Sequence, residues 1–278
     1  MTVAPAPARG PSVAALALAR TGVELKAFFR NRELAFFTFL LPLLLLVVLS
    51  ATFEGVIVGP PGTPLVTYRQ YFVAGMIATS IFSSAFVALA TGVAIEQHDG
   101  LLKRLSGTPL PRASYLAGKI ASVTAVAALS SALMVAIGVA FYDLRVPTDP
   151  RRLLVLAGLF ALGVTACSLL GLACTRLIRN AKAGAAVVQP PFLVLLFVSG
   201  VFFVFDRVPE PLQRLGALFP VKWLAQGLRY VFLPDWFSAQ EAAGRWELAN
   251  VAVVLVAWTV VGFALTLRFF RWDRSGEG

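Results

Sequence analysis

Charged residues are scarce in this sequence. Asp, Glu, Lys and Arg make up 14% of its 278 residues, whereas hydrophobic residues make up 58%. Because soluble domains carry about 25% charged residues, this composition is typical of a membrane protein. The net charge of +10 does not favour nucleic-acid binding, since a chain with so few charges has no soluble face for a basic patch.

Residues that build metal and redox sites are equally few. His98 is the one histidine, and the two cysteines, Cys167 and Cys174, lie in a single apolar stretch. The two cysteines are seven residues apart. On a helix this separates their thiols by about 10 Å along the axis, which is too far for a disulfide. The sequence therefore predicts no metal site and no cofactor bound by this chain.

A phosphate-binding loop is also missing. The pair Gly118-Lys119 has neither the upstream glycine nor the following Ser or Thr that such a loop requires. If ATP drives this protein, the nucleotide and its Mg²⁺ have to be bound by a partner chain.

What the sequence does have is long apolar runs. Six stretches reach the length of about 20 residues that an α-helix needs to cross the 30 Å core of a bilayer. The runs are continuous, whereas the strands of a membrane barrel would alternate polar and apolar residues. The sequence therefore predicts an all-α membrane protein with six transmembrane helices. They cover residues 34–53, 71–95, 120–142, 153–175, 183–205 and 248–267.

None of these six stretches contains Asp, Glu, Lys, Arg or His. An ion-coupled transporter usually needs a group near the membrane midplane that changes charge, and an intramembrane hydrolase needs a nucleophile with a base. The sequence therefore argues against both classes.

The charges of the connecting segments predict the orientation. With both termini in the cytoplasm, the inner segments carry 15 Lys and Arg against 6 Asp and Glu, and the outer segments carry 9 against 8. An excess of cations on the cytoplasmic side is the rule for plasma-membrane proteins, although Arg145, Arg151 and Arg152 favour the opposite orientation. The inner segments are 1–33, 96–119, 176–182 and 268–278.

Both ends of the chain lie outside the predicted permease domain of residues 34–267. Residues 1–12, rich in Ala and Pro, are predicted to be disordered, and residues 268–278 form a cytoplasmic tail. Residues 13–33 read as an amphipathic helix on the inner membrane surface. Its cations, among them Lys26 and Arg30, would face anionic lipid head groups.

The last external segment, residues 206–247, is too apolar for a solvated loop. Leucines recur at helical spacing over 212–219, and a second short helix is predicted over 221–233. We expect two short helices that dip into the outer leaflet or lie on it, with aromatic side chains such as Trp223 and Tyr230 as anchors.

The cytoplasmic segment 96–119 contains a short leucine-rich helix. Asp99 is predicted to cap a helix over 100–106, which presents leucines beside two cations before Pro109 ends it. The segment is either an ordinary connection with a solvated basic face or a lever that docks into a partner below the membrane. The residues presented by the helix are Leu101, Leu102, Lys103, Arg104 and Leu105.

This segment resembles the first cytoplasmic loop of ABC-2 type transporter permeases. In that family an acidic residue ending the second span is followed by a glycine, a leucine-rich helix, a proline turn and a Gly-Lys pair entering the third span. The matching residues are Glu96, Gly100, Leu102, Leu105, Pro109, Gly118 and Lys119.

A second resemblance to the same family covers residues 212–230. The family's Asn-Pro-x-x-Tyr/Trp stretch, which ends in Arg before the sixth span, is matched by Pro220, Trp223 and Arg229, followed here by Tyr230. The chain departs from the pattern at Phe219, where Asn is common, but keeps the proline that forms the turn.

The resemblance implies the permease subunit of an ATP-binding cassette exporter. Two permease chains, expected to be identical, would sit on two ATPase subunits that bind ATP and Mg²⁺. Family members export drugs, lipids or polysaccharide precursors, and the charge-free spans favour a hydrophobic substrate here. A non-transporting scaffold protein and an ion-coupled secondary transporter are the alternatives.

The fifth stretch carries a candidate substrate pathway. Pro190 and Pro191 remove two backbone donors and are expected to bend the helix, and Ser199 precedes a glycine that loosens it again. Gln189 is expected to face the interior of the bundle, at the interface between permease chains, because an amide facing lipid is costly. Alternatively, the amide only satisfies the backbone groups freed by the bend.

Overall fold

The computed structural model describes residues 11–53, 55–57, 59–178, 183–205 and 208–270. The predictions for residues 1–10, for most of the inner loop 176–182 and for the tail beyond residue 270 lie outside this range. Within it the protein is helical apart from one small hairpin, in which β1 (Val56–Ile57) pairs antiparallel with β2 (Val66–Thr67). Strands of two residues are too short to show an alternating pattern, so the sequence did not predict them.

Five helices of the described chain are long and apolar enough to cross a membrane. The remaining predicted stretch, residues 183–205, forms the shorter α8, with 15 residues or about 22 Å. This helix ends at Val198 because Gly200 adopts a left-handed conformation, with φ of 69°. The long helices are α2 (Arg32–Thr52), α3 with α4 (Tyr68–His98), α6 (Arg112–Tyr142), α7 (Pro150–Cys174) and α11 (Leu248–Phe269), and α8 covers Gly184–Val198.

Four further α-helices complete the described chain. Short 3-10 turns follow at Thr175–Leu177 and Asp235–Gln240. The four helices are α1 (Val13–Arg30), α5 (Leu101–Ser106), α9 (Glu210–Leu218) and α10 (Pro220–Phe232).

The second span lies at the centre of the bundle. The buried share of its most apolar segment is 89%, whereas the corresponding share is between 17% and 44% in the other long helices. Between α3 (Tyr68–Phe82) and α4 (Leu89–His98) the helix widens into a π-helical segment, Ser83–Ala88. Gly171 of α7 lies against this segment, and a side chain there would clash, since an added Cβ would lie 2.8 Å from the Phe86 carbonyl oxygen.

The bundle has two distinct ends. The near end carries α1, α5 and the beginning of α6, whereas the far end carries the β-hairpin and the last part of α10. Helix α1 packs along the near-end part of α6. Its polar residues Arg20 and Glu24 face α6, whereas its apolar residues Leu18 and Phe29 are exposed.

Helices α9 and α10 form a helical hairpin, residues 210–232, which we call the inserted hairpin. All residues of α10 are buried, and this helix packs against α3, α7 and α11. An added Cβ at Gly163 would lie 2.7 Å from Leu224 Cδ1. Since Gly163 lies about 20 Å along α7 from Pro150, α10 reaches the middle of the bundle.

The turn of the hairpin is fixed at the same depth. The Trp258 indole donates to the Leu218 carbonyl over 2.8 Å, and its ring stacks on Phe219 at a centroid distance of 5.7 Å. Trp258 lies about 15 Å along α11 from its first residue. Helix α10 is therefore not an element lying on the surface of the bundle.

Candidate functional site

Five side chains form a charged network at the near end, which we call the near-end cluster: Arg20, Glu24, Glu96, Tyr115 and Lys119. The Lys119 ammonium lies 2.6 Å from Glu96 Oε1 and 2.7 Å from Glu24 Oε2. The Tyr115 hydroxyl donates to Glu96 Oε2 over 2.5 Å. Glu96 and Lys119, which the sequence resemblance singled out separately, therefore form an ion pair.

Arg20 completes the charge balance of this cluster. Its guanidinium pairs with Glu24 and lies 3.4 Å from Glu96 Oε1. The same group lies 5.2 Å from the centroid of the Tyr115 ring, within the range of a cation–π contact. Two cations thus neutralise two carboxylates, and the four charged side chains are between 8% and 17% exposed.

The cluster joins three helices because α1 and α6 approach closely. An added Cβ at Gly118 would lie 2.7 Å from Arg20 Cβ, so only glycine permits this approach. Sequence reasoning found Glu96, Gly118 and Lys119 but not their partners on α1 and α6. The two partners on α1, Arg20 and Glu24, could have been found from their spacing of four residues, which places both side chains on one face of a helix.

Helix α5 begins differently from the prediction. The predicted cap, Asp99, does not cap it, because Gly100 with φ of 69° is the residue that precedes the helix. The helix therefore starts at Leu101 instead of residue 100. Asp99 remains exposed at the end of α4, and Pro109 is exposed in the turn after α5.

The short helix is anchored to the near-end cluster by one leucine. Leu102 is fully buried against Tyr115, and Leu105 packs at the edge of this contact. Lys103 and Arg104 are exposed on the opposite side. A displacement of α5 would therefore act through Leu102 on Tyr115, whose hydroxyl is bonded to Glu96.

A second charged group at the far end holds the inserted hairpin, and we call it the far-end clamp: Tyr71, Arg229 and Glu241. Arg229 Nε and Nη2 donate to the two carboxylate oxygens of Glu241 over 2.6 and 2.9 Å, and Nη1 donates to the Gly200 carbonyl over 3.0 Å. The Tyr71 hydroxyl donates to the same carbonyl over 2.5 Å. Arg229 and Glu241 are only 1% and 3% exposed.

The aromatic residues expected as membrane anchors lie inside the bundle. Trp223 and Tyr230 are each 7% exposed. The Trp223 indole donates to the Ala217 carbonyl over 2.7 Å, and the Tyr230 ring meets Trp246 edge to face. Pro220 occupies the first position of α10, where its missing N–H breaks no helical bond.

The inserted hairpin brings titratable groups among the spans. Lys222 and Arg229 are 3% and 1% exposed, although the spans themselves contain no charge in their apolar cores. The sequence analysis addressed only the six apolar stretches, and it did not predict that cations of the external segment would be buried between them. Nothing in the local pattern shows that an external helix returns into the bundle.

The candidate pathway residues on α8 do not form one site within the chain. Gln189, Pro190 and Pro191 are exposed on the outer face of α8, so Gln189 does not face this chain's own interior. Helix α8 continues through both prolines. Ser199 is fully buried, and its hydroxyl has no partner among the described residues.

Comparison with known families identifies one match. The family model described as ABC-2 family transporter protein matches residues 60–268. The region contains the helices from α3 to α10 and α11 up to its last residue, together with Glu96, Lys119 and the inserted hairpin. A comparison with curated proteins gives no match.

Proposed function

The chain belongs to the ABC-2 family of transporter proteins, and we propose on this premise that it is the permease subunit of an ATP-binding cassette exporter. Membrane subunits of this family generally pair with an ATPase subunit. The proposed partners are two copies of a separate ATPase, which bind ATP and Mg²⁺, and a second permease chain identical to this one. Membrane lipids surround the pair, and nucleic acid is not a partner.

We place the near end in the cytoplasm of a plasma-membrane protein. The excess of cations in the near-end segments supports this orientation, which puts both termini inside. Residues 199–205 continue from α8 as an apolar, mostly buried turn. Together with α8 they complete a sixth crossing, and α9 and α10 then form a re-entrant hairpin from the outside.

Helix α5 is the proposed coupling element. The observation that carries this assignment is the contact of buried Leu102 with Tyr115, whose hydroxyl is bonded to Glu96. Closure of the ATPase pair on ATP would push on Lys103 and Arg104, the exposed side of α5. The load would pass to α1, α4 and α6 together, because the near-end cluster ties their ends to one another.

The proposed substrate is hydrophobic: a drug-like molecule, a lipid or a glycan precursor. The apolar cores of the spans support this choice, since a hydrophilic solute would need polar groups along its path. Gln189 is exposed on α8 of the single chain, where a second permease copy can cover it. We therefore place the pathway at the interface between the two permeases.

The function is tested by purifying the full-length chain from its native membrane with its associated subunits. We expect a soluble subunit with a phosphate-binding loop in a one-to-one ratio, and export from proteoliposomes that stops when the lysine of that loop is changed to alanine. A purified chain without an ATPase and without transport would indicate a scaffold protein. Transport that needs no ATP but collapses with an ionophore would indicate a secondary transporter.

A further inference from the structure

The inserted hairpin contains a second buried cation whose surroundings differ from the far-end clamp. Lys222 Nζ donates to Gln226 Oε1 over 2.7 Å and lies 3.5 Å from Glu247 Oε2, at the limit of a hydrogen bond. It also lies 3.4 Å from the centroid of the Trp223 ring. Unlike Arg229, which binds both oxygens of Glu241, this cation is paired with a carboxylate through one long contact.

Hydrogen-bond donors exceed acceptors around Lys222. Gln226 is 1% exposed, and because its Oε1 accepts from Lys222, its Nε2 points elsewhere and meets no acceptor among the described residues. Trp246 precedes Glu247 in the chain, and its buried indole nitrogen also has no acceptor among the described residues. Buried polar groups are nearly always satisfied in proteins, so such a surplus indicates a missing acceptor.

These donors lie along one interface. Lys222, Gln226 and Tyr230 are spaced four apart and therefore share one face of α10. Glu247 lies against the first of them and Trp246 against the last, so the face looks onto the segment just before α11. Residues 242–245 next to this segment are exposed, which places the interface close to the far-end surface.

Glu247 can leave Lys222 without being stranded. Its side chain is 16% exposed, and its Oε1 also accepts from Asn250 Nδ2 over 2.9 Å. Glu241 in the far-end clamp has no comparable freedom, since its side chain is 2% exposed and both of its oxygens bind Arg229. An incoming anion could therefore take the place of Glu247 beside Lys222.

We propose that the face formed by Lys222 and Gln226, opposite Trp246 and Glu247, binds the anionic head group of an amphiphile. The lysine supplies the charge, and the free amide and indole donors supply hydrogen bonds to phosphate or carboxylate oxygens. The aromatic rings around it accommodate the first part of an apolar tail. This site deepens the proposed function, because it assigns an acidic head group to the exported substrate.

The test uses the full-length permease in nanodiscs of zwitterionic lipid, with three probes of equal chain length: decyl phosphate, decanol and decyltrimethylammonium. Binding is followed by tryptophan fluorescence, since Trp223 and Trp246 line the site. We expect decyl phosphate to bind about tenfold more tightly than decanol, and the cationic probe to bind no better than decanol.

Variants test whether Lys222 binds an anionic ligand or only forms a structural ion pair with Glu247. Glu247→Gln removes the internal competitor and should tighten decyl phosphate binding severalfold, whereas Gln226→Leu should weaken it and Lys222→Arg should retain it. Arg151→Met, an exposed cation at the start of α7, is the control and should leave decyl phosphate binding unchanged. Equal binding of the three probes, or weaker phosphate binding by a folded Glu247→Gln protein, would overturn the proposal.

A second measurement distinguishes a failure of this proposal from a failure of the proposed exporter function. Release of decyl phosphate from proteoliposomes is followed with and without ATP in the presence of the ATPase. Selective binding without ATP-dependent release would support an anionic-lipid site and contradict the assignment to the exported substrate. Failure of all ATP-dependent transport, with selective binding intact, would instead count against the exporter.

Discussion

The near-end cluster and the far-end clamp use similar side chains in different ways. At the near end, each carboxylate is shared between Arg20 and Lys119, and the four side chains are 8% to 17% exposed. At the far end Arg229 binds one carboxylate through two hydrogen bonds, and both groups are almost fully buried. A shared network can lose one contact and keep its charge balance, whereas an exclusive buried pair cannot.

This difference assigns different tasks to the two ends. Breaking a buried ion pair strands a charge, so the far-end clamp is suited to holding the inserted hairpin and α8 in place. The near-end cluster lies where α1, α4 and α6 meet and contacts α5, the proposed coupling element, through Leu102. Its partly exposed, redundant contacts are suited to rearrangement during a transport cycle.

The largest effect is expected from breaking the far-end clamp. Arg229→Ala leaves Glu241 buried without a partner, which costs about 3–5 kcal/mol of unfolding free energy. The measurement is the thermal unfolding midpoint of the purified permease. Arg214→Ala is the matched control, because its pair with Glu210 is exposed, with side chains 78% and 72% accessible, and is worth at most about 1 kcal/mol. A similar loss in both variants would remove the distinction between buried and exposed pairs.

The next effect concerns coupling at the near end. Glu96→Gln removes the carboxylate that binds Tyr115 and Lys119 together, while Glu24 remains to pair with the lysine. We expect export per ATP to fall about tenfold, with insertion and dimerisation unchanged. Leu102→Pro, which disrupts α5, should act in the same way.

Asp99→Asn is the control for this experiment, because Asp99 is exposed three residues from Glu96. Its export per ATP should match that of the unmodified protein. Normal coupling in both Glu96→Gln and Leu102→Pro would show that the near-end cluster is only structural.

A smaller effect is expected on the outer face of α8. Gln189→Leu should shift the substrate preference severalfold more than it changes protein abundance, because the amide would line the pathway between two permeases. Export of several substrates and the amount of folded protein are measured together. Leu193→Met, one turn further along the same exposed face, serves as the control. A loss of abundance with an unchanged substrate profile would instead support a role in satisfying the backbone near Pro190 and Pro191.

The last prediction concerns the orientation of the permease in the membrane, and no change of activity is expected. Gly62 and Gly244 have positive φ, with values of 83° and 63°, so an introduced cysteine would be strained at either position. In a chain without its own cysteines, Ala243→Cys at the far end should react with an impermeant thiol reagent on intact cells. Lys103→Cys should react only after lysis, and labelling in the reverse order would invert the proposed orientation. Asn180, another position suited to this test, lies outside the described residues.

The sequence predicted most helices well, and its errors share a cause. The positions of α9 and α10 agree with the prediction to within two residues, because proline turns and leucine spacing are local signals. Whether α10 lies on the bundle or within it depends on long-range contacts, such as that of Gly163 in α7 with Leu224 in α10. The end of α8 at Val198 was not predicted, because residues 183–205 form one predominantly apolar run and Gly200 was expected to loosen the helix instead of ending it.

Hydrophobic runs and the scarcity of charge determined by themselves that this chain is a helical membrane protein, since transfer into a bilayer depends on composition and length alone. Family motifs likewise marked Glu96 and Lys119 without a structure. Only the tertiary structure decided what these residues meet. The ion pair of Lys119 with Glu24 joins residues 95 positions apart in the chain, and it depends on the close approach of α1 to α6 that Gly118 allows.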